Sequence, residues 1–237
     1  MPYGFLDIAV TPKVRAVRAA MGSDRLWDTQ RLDRAFDRFT DRETAFIAAR
    51  DSFYMATVSE TGWPYVQHRG GPRGFLRCLD ERTLAFADFR GNHQYISTGN
   101  ATASNRACLF LMDYPQRARL KIYARIELLA LDDDPALAAR LAVPGYRAHP
   151  ERIFRLSLES FDWNCPQHIT PRFTADEIND TVRILHERLA ALEADDSEWA
   201  AKELKTLRAK SPQSCKVALR QLADSLTLGS FADEMRM

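Results

Sequence analysis

A stretch of twelve residues, 117–128, alternates polar and apolar side chains and constrains the fold more than any other segment. The odd positions are Arg117, Arg119, Lys121, Tyr123, Arg125 and Glu127, and the even positions are all alanine, leucine or isoleucine. Successive side chains of a β-strand point to opposite faces, so this period predicts one long strand with one buried face. The chain therefore contains a sheet that covers a core.

Six further segments predict strands around this one. They lie near residues 53–58, 63–69, 75–79, 83–87, 106–114 and 152–158. Glycine-rich and acidic turns separate many of them, and few of the intervening helices are long enough to connect parallel strands. This organisation favours an antiparallel barrel or sandwich over a doubly wound sheet.

Helical segments flank the β region on both sides. Thr11-Pro12 and the capping-box pattern Thr40–Glu43 predict helix starts on the N-terminal side. A second capping-box pattern, Thr174–Glu177, precedes an apolar helical stripe, and a further helix is predicted near 198–209. A third stripe begins at Cys215. We divide the chain into an N-terminal helical segment, 1–50, a β domain, 51–172, and a C-terminal helical appendage, 173–237, which we expect to pack against the barrel or a second subunit.

Charge and composition exclude several classes of protein. The 33 basic and 32 acidic side chains nearly cancel, which argues against nucleic acid or an anionic membrane as a partner. The apolar runs are too short to span a bilayer, and the first residues lack the pattern of a secretory signal. The four cysteines lie far apart, without metal-ligand spacing. We expect a cytoplasmic protein with reduced thiols and no bound metal.

A candidate anion site follows the strand at 83–87. Arg90, Gly91, Asn92 and Gln94 stand between that strand and a predicted helix start. The first N–H groups of a helix lack partners and its dipole favours negative charge, while arginine offers a planar fork to phosphate oxygens. The alternative is an ordinary helix entry with a solvated arginine.

Two further features have both a binding and a structural interpretation. In the segment 67–74, two glycines follow Arg69. These glycines either let the backbone approach a flat ligand closely or form a hairpin turn. On the alternating strand, neighbouring cations on one face lie about 7 Å apart and repel each other unless they are solvated or neutralised. A water-facing row is one interpretation, and a bound phosphate is the other.

The loop 161–172 gathers polar and aromatic side chains after the last strand, where binding residues often lie. Within it, Cys165 is either a nucleophile or an idle thiol, and no fixed base accompanies it in the sequence. His68 and His168 are candidate catalytic acid–base groups by residue type alone.

These segments together resemble the pyridoxamine 5'-phosphate oxidase-related FMN-binding split barrels. The resemblance rests on the ordered stretches "MATVSETGWPYVQHRGGPRGFLRCLD", "LAFADFRGNHQYISTGN" and "ACLFLMDYPQRARLKIYARIEL". The loop "WNCPQHITPRF" is similar to one in a bacterial flavin-nucleotide-binding branch. The resemblance implies a six-stranded antiparallel Greek-key split barrel, mainly β with helical additions, that forms a homodimer with FMN at the interface.

The resemblance also implies a set of cofactor-binding residues. Gln67, His68, Arg69 and Gly70 would lie along the flavin ring or its ribityl tail. Arg90, Asn92 and Gln94 would hold the phosphate beside Gly91, and Arg119 or Lys121 would add positive charge. Trp163, Asn164, Gln167 and Arg172 would approach the flavin from the last loop. The Arg-x-His-x-Arg pattern of true pyridoxamine phosphate oxidases is missing, because the corresponding residues 167–172 read QHITPR.

The resulting hypothesis is an FMN-dependent oxidoreductase that acts on an unknown small substrate, with a nicotinamide or a small organic molecule as hydride donor. His68 or His168 would transfer the accompanying proton. One alternative is a non-catalytic flavin-binding module whose appendage recognises a protein. Another is a split barrel that binds haem or a deazaflavin.

Overall fold

The computed structural model describes residues 4–23, 36–163 and 166–209. The chain forms two compact units, Met1–Arg172 and Phe173–Met237. The first unit contains one antiparallel sheet with helices around it, and the described part of the second is helical. The predicted class, mainly antiparallel β with helical additions, is confirmed, although the sheet has seven strands where six were expected.

The alternating segment is the long strand that the sequence predicts, and it lies at the centre of the sheet. The strands are β1 (Ser52–Val58), β2 (Pro64–Gly70), β3 (Arg77–Asp80), β4 (Thr83–Phe89), β5 (Arg106–Asp113), β6 (Ala118–Leu129) and β7 (Pro150–Trp163). Their order is β2-β1-β5-β6-β7-β4-β3, with antiparallel neighbours throughout. Strand β6 therefore pairs on both edges, with β5 and with β7.

Three of the helices begin where the capping residues predict. The helices of the described residues are α1 (Phe5–Ala9), α2 (Pro12–Ala20), α3 (Asp41–Ala48), α4 (Ile96–Ala103), α5 (Pro135–Leu141), α6 (Ala175–Glu193) and α7 (Glu198–Ala209). Thr11 caps α2, and the capping boxes at Thr40 and Thr174 open α3 and α6. The predicted third stripe of the appendage, from Cys215, lies outside the described residues. None of the described helices is both long enough and apolar enough to cross a membrane.

The sheet curls into a barrel, because side chains of distant strands meet in one core. Phe53 of β1 and Phe86 of β4 lie with ring centroids 5.3 Å apart, although three strands separate β1 from β4 in the sheet order. Phe86 also stacks on Phe154 of β7 at 5.0 Å. All three rings are fully buried. Each contributes roughly 1.5–3 kcal/mol relative to exposure, so the inner face of the curled sheet stabilises the fold.

Strand β4 is buried on both faces, which explains why its sequence lacks alternation. Its inner face joins the barrel core, and on its outer face Ala85 and Ala87 pack with Leu137 and Leu141 of α5. A strand covered on both sides needs apolar residues at consecutive positions. Helix α5 is therefore the reason that the 83–87 run is continuously apolar.

The neighbouring strand neutralises two cations of the row on β6. The ammonium group of Lys121 lies 2.8 Å from a carboxylate oxygen of Asp162, and Arg125 pairs with Glu159. Both acids belong to β7. Cross-strand ion pairs explain how like charges lie along one strand, and Arg125 remains exposed, in agreement with the water-facing interpretation.

Helix α3 is joined to the barrel through the carboxylate of Glu43, which is only 4% exposed. The indole N–H of Trp163 donates to Glu43 Oε1 at 2.7 Å, and the hydroxyl and N–H of Thr40 donate to Oε2 at 2.5 and 3.0 Å. Burial raises the pKa of Glu43, but the hydrogen bonds from Thr40 and Trp163 outweigh it and leave this pKa below its usual value. The ionised form therefore stabilises the fold.

We expect Glu43→Gln to lower the free energy of unfolding at pH 7 by about 1.5–3 kcal/mol, because it removes charge-assisted hydrogen bonds. The folded pKa lies below the unfolded one, so the contribution is present above about pH 4.3 and disappears as the pH falls through the folded pKa. Urea unfolding measured at several pH values should show the difference between variant and wild type shrinking in acid.

Glu60→Gln is the matched control, since Glu60 is an exposed glutamate in the turn between β1 and β2. It should change the free energy of unfolding by no more than about 0.5 kcal/mol. An equal loss in both variants, or a loss at Glu43 that does not depend on pH, would contradict the role assigned to Glu43.

Candidate functional site

A buried ion pair joins the two ends of the sheet. Arg69 of β2, with a side chain 12% exposed, hydrogen-bonds through its guanidinium to Asp88 of β4, which is 7% exposed. The same guanidinium lies 5.2 Å from the ring centroid of Phe154. Strand β2 is one edge of the sheet and β4 is next to the other edge. The pair therefore spans the gap between the two ends, and we call the residues around this gap, 65, 67, 69, 88–98, 151 and 152, the rim.

Burial works against both charges of the pair. It lowers the pKa of Arg69, and the opposing attraction of Asp88 does not fully compensate. It also raises the pKa of Asp88, although Arg69 and Arg152 favour the ionised carboxylate. Desolvation of a buried ion pair commonly offsets its Coulomb attraction, so a further polar partner at the rim would stabilise the guanidinium.

Helix α4 is held against the gap by two side-chain hydrogen bonds. The hydroxyl of Ser97 donates to Gln67 Oε1 at 2.8 Å, and the amide of Asn100 donates to the Thr57 hydroxyl at 3.0 Å. Ser97 and Asn100 are buried polar residues in a helix that the sequence predicted only as a short piece. Gln67, a predicted ligand contact, thus positions the start of α4.

The turn before α4 has an unusual backbone. His93 and Tyr95 have φ angles of 61° and 51°, in the left-handed region. Asn92 Oδ1 accepts from the N–H of Gln94 at 3.2 Å, and the side chain of Tyr95, the N-cap residue, makes no capping hydrogen bond to α4. Left-handed residues other than glycine cost roughly 1–3 kcal/mol each and cluster at binding sites. The first N–H groups of a helix have no partner within the helix, so the start of α4 is a candidate site for an anion.

Arginines outnumber carboxylates at the rim. Arg90 Nε lies 3.0 Å from Glu151 Oε1, while Arg152 lies 3.0 Å from the second oxygen of Glu151 and donates to Thr98 Oγ1 at 2.9 Å. With Arg69 and Asp88, the cluster holds three cations and two anions, a net formal charge of 3 − 2 = +1. Arg152 is a site residue that the sequence reasoning missed, because its proximity to Asp88 depends on the pairing of β4 with β7.

The rim encloses a pocket of about 40 Å³. The predicted residues Gln67, Arg69, Gly91, Asn92 and Gln94 all line it. Within the described part of the chain, Arg69 Nε is buried without a hydrogen-bond partner. A volume near that of one or two water molecules suits a compact polar group and excludes a tricyclic ring.

A larger cavity of about 580 Å³ lies on the opposite face of β2. Its floor is the outer face of β2, β1, β5 and β6, and residues 168–170 and 172 also line it. Three predicted residues meet here, namely Arg119, His168 and Arg172. His168 has a φ of 62°, again left-handed. The volume lies within the range of small-molecule sites, about 300–1,000 Å³.

Other predicted residues lie away from the rim pocket. The ring of His68 packs against Tyr54 at 5.5 Å, on the face of β2 opposite Gln67 and Arg69. A Cβ on Gly70, at the end of β2, would meet His68 Cε1 at 3.1 Å. Arg90 pairs at the rim but its side chain is 54% exposed.

The remaining predicted residues lie on β7, in the loop that follows it, or, for Lys121, beside it on β6. Lys121 pairs with Asp162. Trp163 donates to Glu43, and Gln167 is exposed. Asn164 and Cys165 lie outside the described residues. Across those parts of the chain that the structure describes, no cluster of three or more histidine, cysteine, aspartate or glutamate side chains has a metal-binding arrangement.

Comparison with known proteins identifies the family. The sequence model of the pyridoxamine 5'-phosphate oxidase family matches residues 39–161, slightly more than half of the chain, and the chain belongs to this family. A model of the enoyl-CoA hydratase/isomerase family matches residues 141–237, which is less than half. No curated protein matches the chain.

Solved structures similar to this chain have low sequence identity. A putative pyridoxamine 5'-phosphate oxidase from Lactobacillus delbrueckii is 21% identical, with a TM-score of 0.42, over 55% of this chain and 97% of that one. HupZ from Group A Streptococcus is 13% identical, with a TM-score of 0.40, over 57% and 100%. An FMN-binding protein from Syntrophomonas wolfei is 14% identical, with a TM-score of 0.39, over 65% and 97%.

The ion pair across the gap can be tested by a double-mutant cycle. We expect Arg69→Met and Asp88→Leu each to lower the free energy of unfolding by about 3–5 kcal/mol, because each leaves a buried charge unpaired. The double variant should lose less than the sum of the two by at least about 1 kcal/mol in urea unfolding.

Arg155 and Glu127 form the control pair, since they join β7 to β6 on the exposed surface at 2.8 Å. Their coupling should not exceed about 1 kcal/mol. Additive losses at Arg69 and Asp88 would show that the pair does not hold the ends of the barrel together.

Proposed function

We propose that the chain binds FMN, with the phosphate at the rim, and acts as a flavin-dependent oxidoreductase. Membership of the pyridoxamine 5'-phosphate oxidase family supports this proposal. The observation that carries it is the buried Nε–H of Arg69, which lacks a partner among the described residues and belongs to a side chain that lines the rim pocket. A buried donor without an acceptor costs about 1–3 kcal/mol, which a bound anion would recover.

The donors at the rim fit a phosphate group. The amides of Asn92 and Gln94 line the pocket together with the uncapped start of α4. Arg90 and Arg152 hold Glu151 between them, so their net charge remains positive after Glu151 is neutralised. Charge-assisted hydrogen bonds from arginine to phosphate are among the stronger polar contacts in proteins. The small size of the pocket suits the phosphate and requires the flavin ring to lie beyond it.

A second subunit would complete the ring-binding surface. Strand β2 is an edge strand, and the hairpin of β1 and β2 exposes large apolar side chains. Trp63 is 75% exposed, Val66 is 59% exposed and Val58 is 42% exposed. Clustered exposed apolar residues are typical of a protein interface. We therefore propose a homodimer in which this hairpin is covered by the partner.

Bound FMN supplies hydride and electron transfer, and the protein supplies orientation and charge. Arg69 is the candidate for charge compensation near the cofactor, because Lys121 is already neutralised by Asp162. His168, exposed at the cavity, and His68, on the outer face of β2, are the candidates for proton transfer. Oxidation of vitamin B6 is not proposed, since the Arg-x-His-x-Arg pattern is missing.

We expect Arg90→Ala to weaken FMN binding about tenfold to a hundredfold, since it removes a charge-assisted phosphate contact. The measurement is a titration of purified apoprotein followed by quenching of flavin fluorescence. Arg155→Ala is the control, because Arg155 pairs on the sheet surface away from the rim. Equal affinity for wild type and Arg90→Ala would reject the assignment of Arg90 to the phosphate.

The oxidoreductase activity has its own test. Under anaerobic conditions, NADH or NADPH should bleach the visible absorption of the FMN-loaded protein if a nicotinamide is the hydride donor. The same loss of visible absorption would report hydride transfer from another small organic donor. A protein that binds FMN tightly yet accepts electrons from none of these donors would instead be the non-catalytic flavin-binding module.

A further inference from the structure

The long helix of the appendage, α6, carries an apolar stripe that is only partly covered. The stripe advances in alternating steps of four and three residues and consists of Ile178, Val182, Leu185, Leu189 and Leu192. None of the 19 residues of the helix is fully buried, and Ile178, at the start of the stripe, is 51% exposed. An amphipathic helix gains most of its stability by packing such a stripe against another element. A further element is therefore needed to cover α6.

Helix α7 covers part of the stripe. Only residues 194–197 connect the two helices, which contact each other, and Ser197 Oγ accepts from the N–H of Ala200 at 3.2 Å where α7 begins. Such a short connection places consecutive helices side by side and antiparallel. At 1.5 Å per residue, α7 is about 18 Å long and α6 about 28 Å. The start of α6, where Ile178 lies, therefore extends about 10 Å beyond α7.

The sequence that follows α7 contains a second stripe with the same spacing. Its members advance by four, three and four residues, and they are Cys215, Leu219, Leu222 and Leu226. Each one stands 37 residues after its counterpart among the first four members of the α6 stripe. Ahead of them, Ser211 is a favourable cap and Pro212 suits the first position of a helix. The sequence therefore predicts a third helix whose apolar period matches that of α6.

The direction of the chain brings the two matching stripes into register. A third helix that is antiparallel to α7 runs parallel to α6, and the five residues 210–214 are enough to connect it. In a parallel pair, stripes with the same spacing form layers in which each side chain lies beside its counterpart. Cys215 then lies beside Ile178, at the end of α6 that α7 does not reach, and Leu226 lies beside Leu189.

The charges favour a segment of the same chain over a second copy of α6. Helix α6 contains five acidic and two basic side chains, whereas residues 210–226 contain three basic and one acidic side chain. Two α6 helices from different subunits would bring like net charges together, and like charges repel. The second compact unit also extends to Met237, which agrees with an occupant from within this unit.

We propose that residues 215–226 lie parallel to α6 of their own chain, cover its apolar stripe and complete a bundle of three helices within the appendage. The stripe is then closed to a second subunit and to any protein partner, so a module that recognises a protein would have to use another surface. The bundle does not depend on whether the rim binds FMN.

An engineered disulfide tests the register of the bundle. Ile178→Cys places a thiol beside the native Cys215, and diamide accepts two electrons from a pair of thiols when their Cα atoms lie within about 7 Å. We expect a crosslink between positions 178 and 215 in a product that migrates as a single chain on a non-reducing gel. Peptide mapping by mass spectrometry identifies the linked positions.

Ile184→Cys is the matched control for this crosslink. Ile184 belongs to the same helix and is 41% exposed, but it lies outside the stripe. Its crosslink to Cys215 should form with less than about one-tenth of the yield, because a thiol on another face of α6 does not meet the required geometry.

The reactivity of the native thiol gives a second measurement that needs no new cysteine in α6. Iodoacetamide should alkylate Cys215 at least about tenfold more slowly than a cysteine introduced as Gln221→Cys in the Cys215→Ser background, since position 221 lies on another face of the predicted helix. Leu222→Asp places a charge on the stripe and should raise the rate at Cys215 about tenfold. Circular dichroism verifies that each variant retains its fold.

Several outcomes would overturn the proposal. A crosslink from Ile178→Cys that joins two chains would assign the stripe to a second copy. Equal yields from Ile178→Cys and Ile184→Cys, or equal alkylation at positions 215 and 221, would reject the matched layers. An unchanged rate at Cys215 in Leu222→Asp would show that the stripe does not cover the thiol.

Discussion

The ion pair of Arg69 with Asp88 is the interaction on which the geometry of the site depends. The sheet is a single curved layer, and its ends would separate unless some contact joined them. Ring contacts between Phe53 and Phe86 join the ends within the core, and the ion pair joins them at the surface of the core. Because the pair is buried, its strength depends on what else contacts the guanidinium. The stability of the barrel and the binding properties of the rim are therefore linked.

Strand β2 separates two environments through the ordinary alternation of its side chains. Gln67 and Arg69 face the rim, while Val66 and His68 face the outer surface of the sheet. One edge strand thereby contributes to a small polar pocket on one side and a larger apolar cavity on the other. Residues that are consecutive in sequence, such as His68 and Arg69, contribute to different chemistry, and residues far apart in sequence share one site.

Several cations of the sheet pair with acids on adjacent strands, which makes the cations that lack such a pair informative. On β6, two cations pair with β7, and Arg119 is left beside the cavity. At the rim, Arg90 and Arg152 share one glutamate. A nearly neutral chain can therefore present two locally positive sites. A net charge near zero argues against nucleic acid or an anionic membrane as a partner, but it does not exclude a local excess of positive charge.

The sequence by itself determined the strands and the caps of three helices, because these depend on side-chain period and on contacts within a few residues. Only the tertiary structure decided which residues meet. Trp163, expected at a flavin, donates to Glu43, 120 residues away, and Arg152 reaches Asp88 through the register of β4 with β7. Such contacts follow from the order and the curvature of the strands. A local sequence pattern does not encode either, because the same alternation of polar and apolar side chains is compatible with any antiparallel strand order.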